Sequence, residues 1–504
     1  MVAVIASVLA VVLVAGGGFA AWQFLFASGP RPAEVLPDST FALATVDLDP
    51  AGGQKVEAIR TLRKFPSWRE RTGVTPDSDV VKAIFDEAFK DGPCKSLDYE
   101  RDVKSWIGSR AGVGGVLLGD GKPVPVLALQ ITDAANAEPG FARLVKCSEA
   151  DEDEFGWTIA GEYIIASDSL PHAEAIASAG TKAPLAENAD FQKWTEEAGG
   201  PGILNVYVGR TSPKVLSDLV GGELAGLTGE DSAFDADAGS EDEITKAFKG
   251  FKGAAAALRF AGGGIEFSFA SGGATSEEDR AVGKHVGALP KDTAAVLGLA
   301  VPEKALEQLE SEDSSDEGLL PFAEMFTEGT GLELPDDLVT LLGTSLSVSV
   351  GADAPADLDE VSGPEDLPLG VLIHGDEAEI KAVIAKVESH TGAQLSDLPA
   401  TVSSREGKVA ISGTPAYGEQ LLEDGSLGDA KDFKDVVSHA DEAQGVLYLD
   451  LDNDWMDAFR KTLAEENDPD ATEIADNLAV LRALGASTWS EGSTSHGRVR
   501  LSLE

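Results

Sequence analysis

The chain has 504 residues, with 87 Asp and Glu against 39 Lys and Arg, and a formal net charge of −48. So large a negative excess excludes nucleic-acid binding by counterion release, which needs a basic stripe, and disfavours a body lying flat on anionic lipid. An apolar fraction of 43% is that of a globular protein and not of a disordered tail, so solubility and self-repulsion account for the acidity.

The first thirty residues, Met1 to Pro30, contain no Asp, Glu, Lys, Arg or His. Their Val/Ala/Leu/Ile-rich core, from Val2 to about Ala27, is long enough to cross a bilayer as a helix. Trp22, Phe24 and Phe26 cluster at its far end, where aromatic rings favour the membrane interface. A cleaved secretory signal is the rival reading, with Gly18-Phe19-Ala20 as a passable cleavage site, but no basic n-region precedes the apolar run and the run continues past that site. A start lying upstream, with a basic cytoplasmic segment before Met1, is a third reading. The expected layout is a transmembrane anchor over 1–28, a spacer over 29–35, and a large body outside the cytoplasm.

That body is too long for one ordinary core. It also reads as though written twice. Leu36-Pro37-Asp38-Ser39-Thr40 opens the strand-like run FALATVDLDP, and Leu289-Pro290-Lys291-Asp292-Thr293 opens AAVLGLAVPE. Later strings follow in the same order: PVLALQITDAANAEPGFARLV with PLGVLIHGDEAEIKAVIAKVE, Asp190-Phe191 with Asp432-Phe433, GILNVYVG with GVLYLDLD. Repeats over 36–275 and 289–504, joined by a linker over 276–288, are expected. Short alternating runs at Val124–Ile131, Thr158–Ala166, Ile203–Val208 and Ile265–Phe269 read as strands. Gly161-Glu162, Gly262-Gly263-Gly264 and Arg405-Glu406-Gly407 read as hairpin turns, and helical spacing runs over Ala137–Val145 and His172–Ser178. The fold class that follows is α+β: two tandem related domains, each a mostly antiparallel sheet with helices packed on one face, preceded by one transmembrane helix. Acid-rich stretches at Glu149–Glu154, Gly229–Glu243, Ser311–Gly318 and Ala352–Asp366 read as exposed loops.

Two cysteines, Cys94 and Cys147, are the candidate disulfide. An oxidising exterior allows them to pair, closing a loop whose constraint on the unfolded chain is worth roughly 4 kcal/mol. Two unrelated buried thiols is the alternative. The chain contains no P-loop, no H-E-x-x-H and no nucleophile elbow, so no catalytic, cofactor or metal residues are assigned. The six histidines are scattered and read as surface or capping residues. Asp450-Leu451-Asp452-Asn453-Asp454 begins like a calcium loop, but Trp455 stands where Gly is needed and Lys461 where a bidentate Glu belongs. An Asp cluster capping the helix that starts near Trp455 explains it better. Asp47-Leu48-Asp49-Pro50 reads as a strand end and helix start, with Asp49 the cap and Pro50 the first helical residue. Trp68, Trp106, Trp157 and Trp194 read as core, or as an interface between repeats.

An uncharged membrane segment, a short spacer, then L-P-D-S-T-F-A-L-A-T-V-D-L-D-P followed by Q-K-V-E-A-I-R-T-L-R-K-F-P over Gln54–Pro66 resembles the actinobacterial membrane-anchored proteins grouped as domain of unknown function 3352. The resemblance spans nearly the whole chain. It implies location and layout and supplies no activity or catalytic residue; such proteins carry a Pro-rich cytoplasmic segment before the anchor, which fits the reading of a start lying upstream of Met1. The expectation that follows is a membrane-tethered, non-enzymatic binding or structural module of the cell envelope, with an envelope protein, peptide or wall ligand as partner and no nucleic acid. Two alternatives are a carboxylate-based enzyme using converging acids between the repeats, and a carrier of an apolar ligand.

Overall fold

A computed structural model describes residues 31–48, 52–66, 82, 85, 94–119, 121–147, 155–215, 250–273, 281–300, 327, 329–333, 336–352, 366–392, 400–465 and 468–504. The fold is α+β, dominated by antiparallel sheet with helices against it. The chain divides into two compact units, Met1–Ala274 with Ser493–His496, and Thr275–Gly492 with Gly497–Glu504. Among the described residues no helix is long and apolar enough to cross a membrane. The expected anchor over 1–28, the cap at Asp49-Pro50, Trp68 and most of the acid-rich stretches lie outside the described residues.

In the first unit the strands are β1 (Thr40–Asp47), β2 (Ile107–Leu117), β3 (Pro123–Ile131), β4 (Gly156–Ala160), β5 (Tyr163–Ser167), β6 (Leu204–Val208), β7 (Gly253–Ala261) and β8 (Gly264–Gly272), in the spatial order β4-β5-β3-β2-β1-β6-β7-β8. Hairpins join β4 to β5 through Gly161-Glu162 and β7 to β8 through Gly262-Gly263, both of whose φ values are positive (55° and 75°), the backbone a tight two-residue turn requires. Helix α1 (Gly52–Leu62), drawn from the string that carries the family resemblance, docks on that second hairpin. Gly263 N–H donates to Glu57 (3.1 Å), Phe260 N–H donates to Gln54 (3.1 Å), and Lys64 Nζ donates to the Gly263 carbonyl (3.0 Å).

Helices cover both faces of the first sheet, not one. Tyr163, Ile164, Ile165 and Ala166 of β5 are consecutive and fully buried. Tyr163 and Ile165 pack with Ile176 of α3 (Leu170–Lys182) and Trp194 of α4 (Ala189–Glu197), while Ile164 and Ala166 pack with Phe141 of α2 (Ala134–Cys147) and Trp106. The cause lies in the sequence. β3 and β5 are apolar at successive positions, so side chains on both faces of the pleat must leave water.

The second unit has β9 (Thr293–Ala300), β10 (Ser345–Gly351), β11 (Leu369–His374), β12 (Thr401–Arg405), β13 (Lys408–Ser412), β14 (Gly445–Asp450), β15 (Leu481–Glu491) and, from Gly497 on, β16 (Thr494–Leu503), in the order β12-β13-β11-β10-β9-β14-β15-β16. Strand for strand, this is the order found in the first unit. One face carries α5 (Gly283–Gly287), α8 (Pro415–Leu422) and α9 (Lys431–Val436); the other carries α7 (Glu377–Thr391), which follows α6 (Asp336–Leu342). The entry turns match as well. Thr40 Oγ1 donates to the Pro37 carbonyl (2.6 Å) and Thr293 Oγ1 to that of Pro290 (2.7 Å). Leu36 and Leu289 are buried, and their carbonyls accept from the N–H groups of Leu185 (2.8 Å) and Leu427 (3.0 Å).

A buried ion pair closes the first unit. Arg259 of β7 reaches Glu266 (3.0 Å) and Ser268 (2.9 Å) on β8, and its second nitrogen donates to the carbonyls of Ala198 (2.8 Å) and Gly200 (2.6 Å) at the end of α4. One guanidinium thus satisfies helix-end carbonyls and a carboxylate at once. Arg259→Met leaves Glu266 buried without this partner and is expected to cost about 3–5 kcal/mol. Arg259→Met with Glu266→Met should recover a large part of that loss; urea unfolding of both variants is the measurement.

Candidate functional site

Cys94 and Cys147 form a disulfide, with Cα atoms 5.1 Å apart across a sequence separation of 53. It ties the end of α2 to the segment that leads into Tyr99–Val103, one turn of π-helix. Trp106 and Trp194 are core residues, 0% and 1% exposed, and Trp157 is half-buried against Phe141.

Asp47 ends β1 and is buried, 3.1 Å from Arg110 Nε on the neighbouring strand. Burial pushes its carboxyl up, and Arg110 and Arg31 pull it back. Among the described residues the buried acids are Asp47, Asp102 and Glu266, and each faces an arginine. The Asp102 carboxyl is held down at about 2 by its hydrogen bond from Arg101. No two of these acids are paired with one another, which is what raised-pKa acid–base chemistry would ask of them.

Helix α10 (Asp454–Glu465) is capped by Asn453, whose Oδ1 accepts from Met456 N–H (3.0 Å), and not by an aspartate. Asp450 instead accepts from Asp452 N–H (3.0 Å). Asn serves as well as Asp here because the cap needs one short-armed acceptor and no charge. Among the described residues no group of three or more His, Cys, Asp or Glu is placed to hold a metal ion.

A cavity of about 210 Å³ opens in the first unit, between the sheet and the elements that cover it. Its floor is β1, β6 and β7; its roof is α4 and the turn Pro32–Glu34. The walls are mostly apolar, with Phe191 set edge-on to Tyr207, ring centroids 5.1 Å apart. Burial pushes the Tyr207 phenol up to about 12. Polar groups gather elsewhere along the lining: Arg31, Glu34 and Asp47, with Thr45 accepting from Asn205 Nδ2 (3.3 Å).

At the corresponding place in the second unit the strand floor is covered, while the elements over it, at Lys284, Gly287, Phe433 and Val437, line an open cleft of about 640 Å³. Register fixes the correspondence: Leu43 pairs with Tyr207 and Thr45 with Asn205, while Val296 pairs with Tyr448 and Gly298 with Val446. Where the first unit has Thr45 and Asn205, the second therefore has Gly298 and Val446. The methyls of Val286 lie so close over Gly298 that a Cβ there would meet one at 2.4 Å. Val286 stands three residues before Leu289, as Ala33 stands before Leu36. Val282, Val286, Val436 and Val446 are all within 1% of full burial.

The second unit has two features of its own. His285 of α5 and His374 at the end of β11 stack, ring centroids 3.7 Å apart and planes 8° from parallel. Ser345 joins them, its Oγ 2.6 Å from His285 Nδ1 and 3.4 Å from His374 Nδ1. Ser345 is 2% exposed, so its hydroxyl is a buried link and not a presented nucleophile. Burial holds both imidazoles down, with Lys408 adding to the effect, and His374, facing His285 as well, falls to about 4. Lys408 in turn pairs with Asp424 (2.7 Å). These histidines are neither surface nor capping residues. Nothing in the sequence signals their meeting, because three separate elements bring them together. The second feature is an apolar strip: Leu297 pairs with Val348 across β9 and β10, and both are exposed, as are Leu299 and Leu369.

No protein-family model, curated protein or solved structure matches this chain.

The histidine pair generates a pH dependence. A histidine whose folded pKa lies below the unfolded value near 6.5 binds fewer protons folded than unfolded as pH drops. Its contribution is whole above about 6.5 and is lost as pH falls towards 4. Chemical unfolding should show the second unit losing about 2–3 kcal/mol over that window. His374→Gln should flatten that slope; an unchanged slope would assign the acid sensitivity to other groups.

Proposed function

We propose that this chain is a membrane-tethered, extracytoplasmic, non-enzymatic binding or structural module of the cell envelope. The observation that carries this reading is the Cys94–Cys147 disulfide. Such a crosslink persists where the compartment is oxidising and is rare where thiols are kept reduced. The uncharged leading run over 1–28 supplies the tether in this reading, and a body of net charge −48 stays soluble and off anionic lipid. The resemblance to the family of domain of unknown function 3352 belongs to the same proposal.

Binding, rather than support alone, draws on the apolar strip of the second unit. Leu297 and Leu299 are 46% and 45% exposed on neighbouring positions of one sheet face. Adjacent large apolar side chains left in water mark contact surfaces more often than scattered ones do. A partner from the envelope, protein, peptide or wall polymer, is the proposed occupant class. The carboxylate-enzyme alternative loses its motive in the arginines that face Asp47, Asp102 and Glu266.

Two measurements test location. In intact cells, added protease should digest the body while a cytoplasmic marker survives. Maleimide labelling of the denatured chain should be absent until a reductant is added. Free thiols in chain taken directly from cells, or full protection from protease, would end the reading. Separately, Cys94→Ser should lower the stability of the first unit by about 4 kcal/mol, read as a shift of its urea midpoint.

A further inference from the structure

The sheet of the first unit ends in an open edge. β4 pairs with β5 and, among the described residues, with no other strand. The hairpin fixes which of its backbone groups are free. A two-residue turn makes the residues flanking it a hydrogen-bonded pair, and such pairs alternate along the ladder. Ala160, Thr158 and Gly156 therefore bond to Tyr163, Ile165 and Ser167. The other side of β5 agrees in phase. Ile131 N–H of β3 donates to the Glu162 carbonyl (2.8 Å), which puts Ile164 and Ala166 in the bonded positions towards β3. The N–H and C=O groups of Trp157 and Ile159 are left pointing away from the sheet, and among the described residues none of the four has a partner.

Proteins blunt such edges with charged side chains, proline, a bulge or a covering element, because a bare edge templates the pairing of another chain. From Phe155 to Gly161 there is no charge and no proline, and the β4–β5 register runs without a shift. The strand at the corresponding end of the second unit, β12, is blunted: Lys381 of α7 donates to Ser404, and Arg405 pairs with Glu419 (2.9 Å). The β4 edge also offers apolar surface on both faces. Phe155, Trp157 and Ile159 are half-buried beside Phe141 on one face. On the other, Leu170 lies against Gly156 at the start of α3 and is 49% exposed.

Charge selects the occupant. A second copy of this chain would bring its own net charge of −48 to the contact and be repelled. Glu162, exposed in the turn, sets a carboxylate at one end of the edge. An extended peptide with β-branched residues at alternate positions and lysine at its ends suits both the bare edge and the charge.

We propose that β4 takes up an extended basic peptide of a partner protein as an added strand, bonded to the backbone of Trp157 and Ile159. This site goes beyond the envelope assignment, is separate from the apolar strip of the second unit, and does not depend on where the chain resides.

The probe is the capped peptide Lys-Thr-Val-Thr-Val-Thr-Lys, titrated into the full chain and followed by amide hydrogen exchange. In the free chain the Trp157 and Ile159 amides should exchange as open ones, while those of Thr158 and Ala160 are protected. Saturating peptide should slow Trp157 and Ile159 by at least about tenfold, with Kd between about 0.1 and 1 mM. The same peptide with glutamate for both lysines should bind at least about tenfold more weakly, and about 0.5 M salt should shrink that difference. Ile159→Pro removes one outward N–H and leaves the β5 ladder its donors. Trp157→Pro does the same two residues away, so a fold lost in one is tested in the other. Both should abolish binding. Protected Trp157 and Ile159 amides in the free chain, no slowing by the peptide, equal slowing by its acidic form, or undiminished binding by a folded proline variant would each overturn the proposal. So would a dimer seen in sedimentation that Ile159→Pro dissolves, since the edge would then belong to a second copy.

Discussion

Burial of both faces of the central strands is the constraint on which the rest depends. β3 and β5 present apolar side chains at consecutive positions. A strand of that kind has no solvated side, so helices must lie above and below it. α3 and α4 take one face and α2 the other; α5, α8 and α9 oppose α7 in the second unit. In a three-layered unit a charge on the sheet has nowhere to go but into a pair. Asp47 with Arg110 and Arg259 with Glu266 are that outcome.

Much of this was legible in the sequence, and for identifiable reasons. The hairpin at Gly161-Glu162 and that at Gly262-Gly263 were readable because turn chemistry is local. With two cysteines Cys94–Cys147 is the one pairing available, two separate thiols being the alternative, and the structure forms the disulfide. The structure overturns the expectation of helices packed on one face alone: the apolar run YIIA of β5 is continuous, and continuity, not alternation, is the signal of a strand buried on both faces. The cap of α10 is Asn453 and not one of its aspartate neighbours, because a cap is set by the position of one acceptor and not by charge.

The histidine pair and the cavity were beyond sequence reasoning for a different reason. His285, Ser345 and His374 lie on three elements separated by sixty and twenty-nine positions. Their meeting depends on α5 lying across the starts and ends of β10 and β11, a tertiary fact with no local spacing. A cavity is harder still, since it is defined by atoms that are not there. Its one trace in the sequence is comparative: Thr45 and Asn205 in one half stand where Gly298 and Val446 stand in the other, and that comparison needs the strand register first.

Shared strand order makes that comparison physical. Each unit enters its first strand through a buried leucine and a threonine bonded back to a proline carbonyl, and each sets an aromatic edge against a tyrosine on the sixth strand, Phe191 on Tyr207 and Phe433 on Tyr448. What differs beneath these common points is the chemistry of the lining and not its bulk: Val286, Gly298 and Val446 in the second unit stand against Ala33, Thr45 and Asn205 in the first, so the valine replaced by alanine is offset by the glycine replaced by threonine. Thr45 and Asn205 bond to each other, and Asn205 bonds to Gly202 through both its oxygen and its nitrogen, so the polar lining of the first unit is satisfied within the fold.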